Sequence, residues 1–226
     1  TSIESLLGYF YVQESASQLP VEVLNPGEND IVLDMCAAPG GKTTQLSQWM
    51  NNKGVIVAFE KNNRRLLAFK SNCERLGVNN VVAFNTNAEK VTVLKTEFDK
   101  VILDASCSGN FITDKNWFQK HLVENVKSLC QIQKSLLKAG ISVLKKNGVL
   151  VYCTCSLEPE ENELVIDWAL HNLPVALLPT NLKIGSEGLI NVFGKMLSSD
   201  IKNCRRFWPG KTKTQGFFIA KLRRVR

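Results

Sequence analysis

Ile31–Met50 reads IVLDMCAAPGGKTTQLSQWM. The apolar run Ile31–Leu33 predicts a short strand that ends at Asp34. A turn of small residues follows, and a helix is expected from about Lys42 to Met50. Gly40 and Gly41 let backbone approach a ligand closely, and the helix start offers free N–H groups. Strand, glycine turn and helix make the nucleotide-site unit of open α/β sheets. GGKTT also suggests a P-loop, but that motif needs a glycine five residues before Gly41, where Cys36 stands. Pro39 removes a further N–H from such a cradle, so the P-loop is rejected.

Working outward, a lead-in of residues 1–25 carries the aromatic segment LLGYFYVQESASQLP, which leads into a short helix. Its polar residues Gln13, Glu14, Ser15 and Ser17 suit either a helix cap or a ligand. The core is expected over 26–226. Val55–Phe59 is the second strand, and Glu60 at its end stands where a ribose diol is held, or caps the next helix. Helix Asn63–Leu76, strand Val81–Phe84 and strand Asp99–Leu103 follow, then a long helix Val123–Leu144. This alternation predicts a mainly parallel α/β sheet with helices on both faces. Val175–Leu178, Gly188–Phe193 and Gly216–Leu222 have no helices between them and predict an antiparallel C-terminal edge.

A second stretch carries the chemistry. In Val149–Glu163, VLVYCTCSLEPEENE, a β-rich run stops at Cys153-Thr154-Cys155-Ser156, and a helix is expected from Glu160, whose acidic first turn suits the dipole. Cys155 therefore lies past the carboxyl end of a strand, where open sheets bind ligands. DASCSGN places Cys107 the same way, three residues after Asp104. Of the seven cysteines, Cys73, Cys130 and Cys204 read as packing or surface residues, and Cys153 as packed inward beside Cys155.

The cysteine spacing fits neither a zinc site nor a disulfide scaffold, which predicts reduced thiols, no metal and a cytoplasmic protein. A net charge of +7 allows a polyanion partner, though a basic solvated surface would look the same. No apolar run is long enough for a membrane span. The chain opens on Thr1, so a processed or truncated piece is expected.

YFYVQESASQLP, LDMCAAPGGKTTQL, DASCSGN, YCTCSLEPEENE and RFWPGKTKTQGFFIAKL together resemble the RNA 5-methylcytosine methyltransferase family over nearly the whole chain. DASCSGN followed by Asp114-Lys115-Asn116 is similar to the archaeal tRNA members. The resemblance implies a Rossmann-like fold, S-adenosylmethionine as cofactor and RNA as partner, with tRNA favoured over ribosomal RNA. A monomer is expected, with room for an accessory protein. It implies Cys155 as the attacking thiol, Cys107 as the thiol that assists product release and Asp104 as the acid beside them. Backbone of Cys36, Ala37, Ala38, Pro39, Gly40, Gly41 and Lys42, with Glu60, Asn87 and Asp104, would hold the cofactor. Asn87 stands where many members carry an aspartate, Ser106 where a proline usually precedes the second thiol, and Gly210 where a histidine is frequent.

Carbon 5 of cytosine is a poor nucleophile. A thiolate adding to carbon 6 enriches carbon 5, and an acid at ring nitrogen 3 stabilises the adduct. That acid would be Asp104, with its carboxyl carrying or sharing a proton. A free thiol titrates near ~8.5, so Cys155 needs activation. Lys42 is either the activating cation or the group that orients Asp104. Lys115, Trp117, Lys120, Arg205, Arg206, Trp208, Lys211 and Lys213 are candidates to line an RNA path. Three other readings compete: an RNA-binding homologue without activity, a DNA cytosine methyltransferase in which Cys107 attacks, and a redox protein using Cys153 and Cys155.

Overall fold

The computed structural model describes residues 2–120 and 122–226, without the side chain of Lys120. In chain order the elements are α1 (Ile3–Leu6), α2 (Ser15–Leu24), β1 (Ile31–Asp34), α3 (Gly41–Trp49), β2 (Val55–Phe59), α4 (Asn63–Arg75), β3 (Val81–Phe84) and a 3₁₀ turn (Ala88–Leu94). β4 (Phe98–Asp104), α5 (Trp117–Lys120), α6 (Val123–Ser142), β5 (Leu144–Thr154), α7 (Glu163–Asn172) and β6 (Val175–Leu178) follow. The chain closes with β7 (Ser186–Glu187), β8 (Asn191–Val192), β9 (Lys195–Met196), a second 3₁₀ turn (Ser199–Asn203), β10 (Arg205–Phe207), α8 (Pro209–Thr212) and β11 (Phe217–Arg224).

The main sheet runs β3-β2-β1-β4-β5-β11-β10-β7, with β6 also paired to β11. β1 to β5 are mutually parallel, while β11, β10, β7 and β6 add antiparallel pairings. The expected parallel sheet with an antiparallel C-terminal edge is what forms. Alternation along the strands builds two cores. Leu33, Val57, Val101, Leu103, Leu150 and Tyr152 face one side, with Leu137 and Ile141 of α6 and Val165 of α7. Val32, Ile56, Ile102, Val151 and Ile219 face the other, under Ala16, Val21 and Leu24 of α2 and Leu46 of α3.

Several boundaries differ from expectation. The short helix of the lead-in, given no bounds by the sequence, spans Ser15–Leu24 and runs through Pro20. Burial of Ala16, Val21, Val23 and Leu24 outweighs the lost N–H. The helix expected to reach Leu144 stops at Ser142, because Leu144 already pairs with Phe98 of β4. The polar stretch Lys145–Gly148 is no simple turn: register jumps from Phe98↔Leu144 to Lys100↔Val149, so it bulges within one long strand, with Asn147 left-handed. Of the strand expected at Gly188–Phe193, only Asn191–Val192 pairs, in a small hairpin with β9. β7 and β10, which flank the tail, were not expected at all.

Candidate active site

Strand order reverses between β1 and β4. The chain passes from β1 outward to β2 and β3, then returns to β4 on β1's other side. Such a switch point opens a crevice beyond the carboxyl ends of both strands. β1 ends there in Asp34 and β4 in Asp104.

Parallel register brings the second pair of residues together. Asp104 lies opposite Cys153, so β4 and β5 leave the sheet side by side. Their loops carry Ser106-Cys107-Ser108 and Thr154-Cys155-Ser156, and the Cys107 and Cys155 sulfurs meet at 3.1 Å. Both thiols are partly accessible, whereas Cys73, Cys130, Cys153 and Cys204 are buried. A hydrogen bond from Cys107 holds the Cys155 thiol below its ordinary range; burial and Asp104 oppose this, and Lys42 reinforces it. The same hydrogen bond pushes Cys107 well above its ordinary range, and burial, Cys155 and Glu161 add to the rise. The shared hydrogen bond thus separates the two thiols in acidity and leaves Cys155 the more easily ionised.

Lys42 reaches across from the first turn of α3. Its Nζ donates to Asp104 Oδ2 at 2.7 Å and to Ser17 Oγ at 2.8 Å, and it sits 5.5 Å from the centre of the Phe217 ring. Burial alone would discharge it, but Asp104, Cys153 and Asp34 outweigh burial and leave its pKa raised. Lys42 therefore orients Asp104 and also supplies the local positive charge. Cys153, fully buried, points its sulfur at Asp104 Oδ1 from 3.5 Å and is kept neutral by burial and by Asp104.

Around this centre lie residues that sequence reasoning passed over. Asp34 is buried, accepts Thr43 Oγ1–H at 2.6 Å and Cys36 N–H at 3.3 Å, and burial raises its carboxyl to about 6, with Asp104 adding to the rise. A carboxylate ending a strand just before a glycine turn was the available signal. Asn110 Nδ2 donates to Cys155 O at 2.7 Å and Gly216 O at 3.3 Å. Asn162 joins Thr154 Oγ1 at 2.6 Å to Ser156 O at 3.0 Å. Glu14, read from the sequence as a cap or a ligand, does cap α2 by accepting Ser17 N–H, and it also accepts Gln215 N–H, tying the lead-in to the last loop.

The acidic run after Pro159 is not an exposed first turn. α7 begins at Glu163, and Glu161, Asn162 and Glu163 are completely buried. Glu161 holds the Cys107 loop, and Glu163 takes Arg206 in a two-pronged ion pair at 2.5 and 2.6 Å. Arg206 is therefore removed from the RNA path: it is 0% exposed, and Trp208 packs 4.9 Å from its guanidinium. Arg205 spends its guanidinium on the carbonyls of Leu182, Lys202 and Cys204. Trp117 Nε1 donates to Ser108 O, while Lys115, Lys211 and Lys213 remain exposed. The Lys120 side chain lies outside the described residues.

Beside the thiols a cavity is lined by Met35, Cys36, Phe59, Glu60, Asn87, Ser106, Ile132 and Leu136, among others. Met35, Phe59, Ile132 and Leu136 are apolar partners for the base of an adenosine, and Glu60 at the end of β2 suits its ribose hydroxyls. Glu60 is buried, with Asn62 N–H 2.7 Å from one oxygen and Arg65 3.6 Å from the other. Asn87 also caps the following 3₁₀ turn through Glu89 N–H. The glycine turn is itself pinned by protein. Ala37 N–H goes to Phe59 O, Ala38 O accepts from Arg65, and Pro39 O accepts from Asn72. Gly40, at φ 114°, needs the freedom of glycine to start α3. Cys36 is a neutral thiol, pushed up to about 12 by burial and by Asp34. Among the described residues no His, Cys, Asp and Glu cluster is arranged to hold a metal.

The switch-point crevice, the cavity edged by Glu60 and the sheet closed by antiparallel strands make up the architecture seen in S-adenosylmethionine-dependent methyltransferases. Residues 21–223 match the family model of the 16S rRNA methyltransferase RsmB/F, and the chain belongs to that family. It is similar to the tRNA (cytosine(72)-C(5))-methyltransferase of Pyrococcus horikoshii, at 39% identity over 97% of this chain and 53% of that protein. The mouse 28S rRNA (cytosine-C(5))-methyltransferase is 39% identical over 98% of this chain and 29% of its own length. The chain thus spans about half or less of these two relatives. Among solved structures, a methyltransferase homologue from P. horikoshii superposes with TM-score 0.90 at 47% identity, covering all of this chain and 72% of that one. NSun6 from P. horikoshii, crystallised with SFG, gives 0.88 at 37% identity, covering all of this chain and 56% of that one.

Proposed function

We propose that this chain methylates carbon 5 of cytosine in RNA, with tRNA as substrate, through a covalent adduct on Cys155. The observation that carries the reading is the thiol pair at 3.1 Å, beside Lys42 and Asp104 and next to the cofactor cavity. The relatives named for tRNA support that substrate, as does a second from Pyrococcus abyssi, a tRNA (cytosine(49)-C(5))-methyltransferase at 36% identity over 99% of this chain and 73% of its length.

Cys155, the more easily ionised thiol of the pair, adds to carbon 6. Asp104, held by Lys42, faces ring nitrogen 3 and exchanges a proton there as the ring accepts electrons. When bound, S-adenosylmethionine supplies the methyl group that carbon 5 takes up, and Glu60 and Asn87 hold it in the cavity. A base then removes the carbon 5 proton, the ring double bond re-forms, and the carbon–sulfur bond breaks with its electron pair returning to Cys155. The Cys107 S–H assists by donating to the departing thiolate. Free thiols on a chain with no disulfide among its described cysteines support a reducing, cytoplasmic setting. A crevice completed by one chain supports a monomeric enzyme.

The test is transfer of labelled methyl to total tRNA, with modified cytosines mapped. Cys155→Ala should lose the covalent RNA adduct, and Cys107→Ala should accumulate it. The reverse pattern would assign attack to Cys107 and overturn the mechanism. Methyl transfer to ribosomal RNA but not tRNA would overturn the substrate.

A further inference from the structure

The release step needs Cys107 held at one place against Cys155, yet the loop that carries it has none of the usual stiffeners. Ser106 stands before the thiol, and Gly109 follows two residues later. The stiffness comes from elsewhere. Glu161 Oε1 accepts Ser108 N–H at 3.0 Å, and its Oε2 accepts Ser108 Oγ–H at 2.5 Å. Gln133 of α6 donates through Nε2 to Glu161 Oε1 at 2.9 Å and to Ser106 O at 3.0 Å. The residues on both sides of Cys107 are therefore gripped by one Glu161–Gln133 pair. Both members are 0% exposed. Glu161 is fixed in turn, because the buried Tyr152 hydroxyl donates to its carbonyl at 2.5 Å.

We infer that Glu161, with Gln133, is the positioning residue that holds Cys107 for product release. Burying a carboxylate is costly, and neutral side chains could pin a loop at lower cost. What a carboxylate adds is negative charge where it meets Ser108, one residue from Cys107. The hydrogen bond to Cys155 and burial raise Cys107, and Glu161 adds to that rise; the same hydrogen bond lowers Cys155, and Lys42 adds to the lowering.

This inference rests on the proposed covalent mechanism, and the test separates the two. Wild type, Cys107→Ala, Cys155→Ala, Glu161→Gln, Ser108→Ala and Ser108→Thr are compared on a tRNA transcript with S-adenosylmethionine. Adduct is read on denaturing gels and methyl transfer from label. Separately, without RNA, the rate of Cys107 alkylation is followed by mass spectrometry. Glu161→Gln should hold adduct at about tenfold the wild-type fraction, since a misplacement near 1 Å can cost up to about a hundredfold. Ser108→Ala should move the same way, more weakly, and Ser108→Thr should recover, because it keeps the hydroxyl. Cys107 alkylation should quicken in Glu161→Gln and Ser108→Ala but not in Ser108→Thr. Equal loss of attack and release, or an unchanged alkylation rate in Ser108→Ala, would make Glu161 merely structural and overturn the inference. Absence of adduct in both wild type and Cys107→Ala would overturn the covalent mechanism and the release role together, while the alkylation rates still decide whether the clamp exists.

Discussion

Replacing Arg206 by leucine separates a structural arginine from an RNA-contacting one. In the fold its Nε and Nη2 meet the two Glu163 oxygens at 2.5 and 2.6 Å, and its Nη1 donates to Leu157 O at 2.8 Å. Neither partner's side chain has any exposure. Removing one member of such a pair leaves a buried charge without compensation, which costs about 3–5 kcal/mol. Glu163 would keep only Leu189 N–H, at 3.1 Å. At roughly 2–4 °C per kcal/mol for a domain of this size, Arg206→Leu should lower Tm by roughly 6–20 °C. Replacing both residues by apolar ones removes the orphaned charge, so Arg206→Leu with Glu163→Leu should be more stable than Arg206→Leu alone. RNA binding of the folded fraction should keep its salt dependence, whereas loss of a phosphate contact would reduce the slope by about one. Calorimetry and salt titrations of tRNA binding decide the matter. A Tm within about 2 °C of wild type, less than 1 kcal/mol by the same conversion, or a slope reduced by one, refutes the reasoning.

Asp34, raised by burial from 3.8 to about 6, favours its protonated form in the fold. Its contribution to stability is therefore fully present below the unfolded value and lost as pH rises through 6. Asp34→Asn should remove this dependence, so its stability relative to wild type should rise by about 3 kcal/mol between pH 3.5 and 7 in urea titrations; a flat difference contradicts the burial argument. Iodoacetamide at pH 7 should label Cys155 before Cys107, Cys36 or the buried thiols, as peptide mapping would show, and Cys107 labelling first would reverse the charge placement. Lys42→Met should slow that labelling and lower methyl transfer by about a hundredfold, because the cation facing both Asp104 and the thiolate is gone; unchanged labelling would leave Lys42 with an orienting role alone.

What sequence could reveal followed the range of the interactions. Strand alternation and the glycine turn are local patterns, so β1 to β4 and the helices between them were legible. Asp104, Cys107 and Cys155 were visible because each stands just past an apolar run. Glu161 and Glu163 were misread because an acidic helix start looks the same whether it faces water or a buried partner. Their partners, Ser108, Gln133 and Arg206, lie 53, 28 and 43 residues away. The same distance explains Arg206: a basic residue beside Trp208 suggests nucleic acid until Glu163 is seen beneath it. β10 was hidden because its pairing depends on β11, which comes after it in the chain, and on β7, which is only two residues long.

The two cysteine loops are nearly interchangeable as sequence: SCS after one strand and TCS after the next. Nothing local says which thiol attacks, and a DNA-type mechanism would give that role to the earlier one. The surroundings break the tie. Parallel register places Asp104 opposite Cys153, and Asp104 brings Lys42 to the Cys155 side. The turn before α7 brings Glu161 to the residue after Cys107. The hydrogen bond between the sulfurs at 3.1 Å favours ionisation of Cys155; the Asp104 carboxylate opposes this and Lys42 works against that opposition, while Glu161 adds to the rise at Cys107. The proposed choice of nucleophile thus rests first on that hydrogen bond, with Lys42 and Glu161 reinforcing it. Removing both flanking charges tests their share: Glu161→Gln with Lys42→Met should narrow the difference in alkylation rate between the two thiols more than either change alone. If the pair of changes leaves the difference intact, the asymmetry lies in the loops themselves.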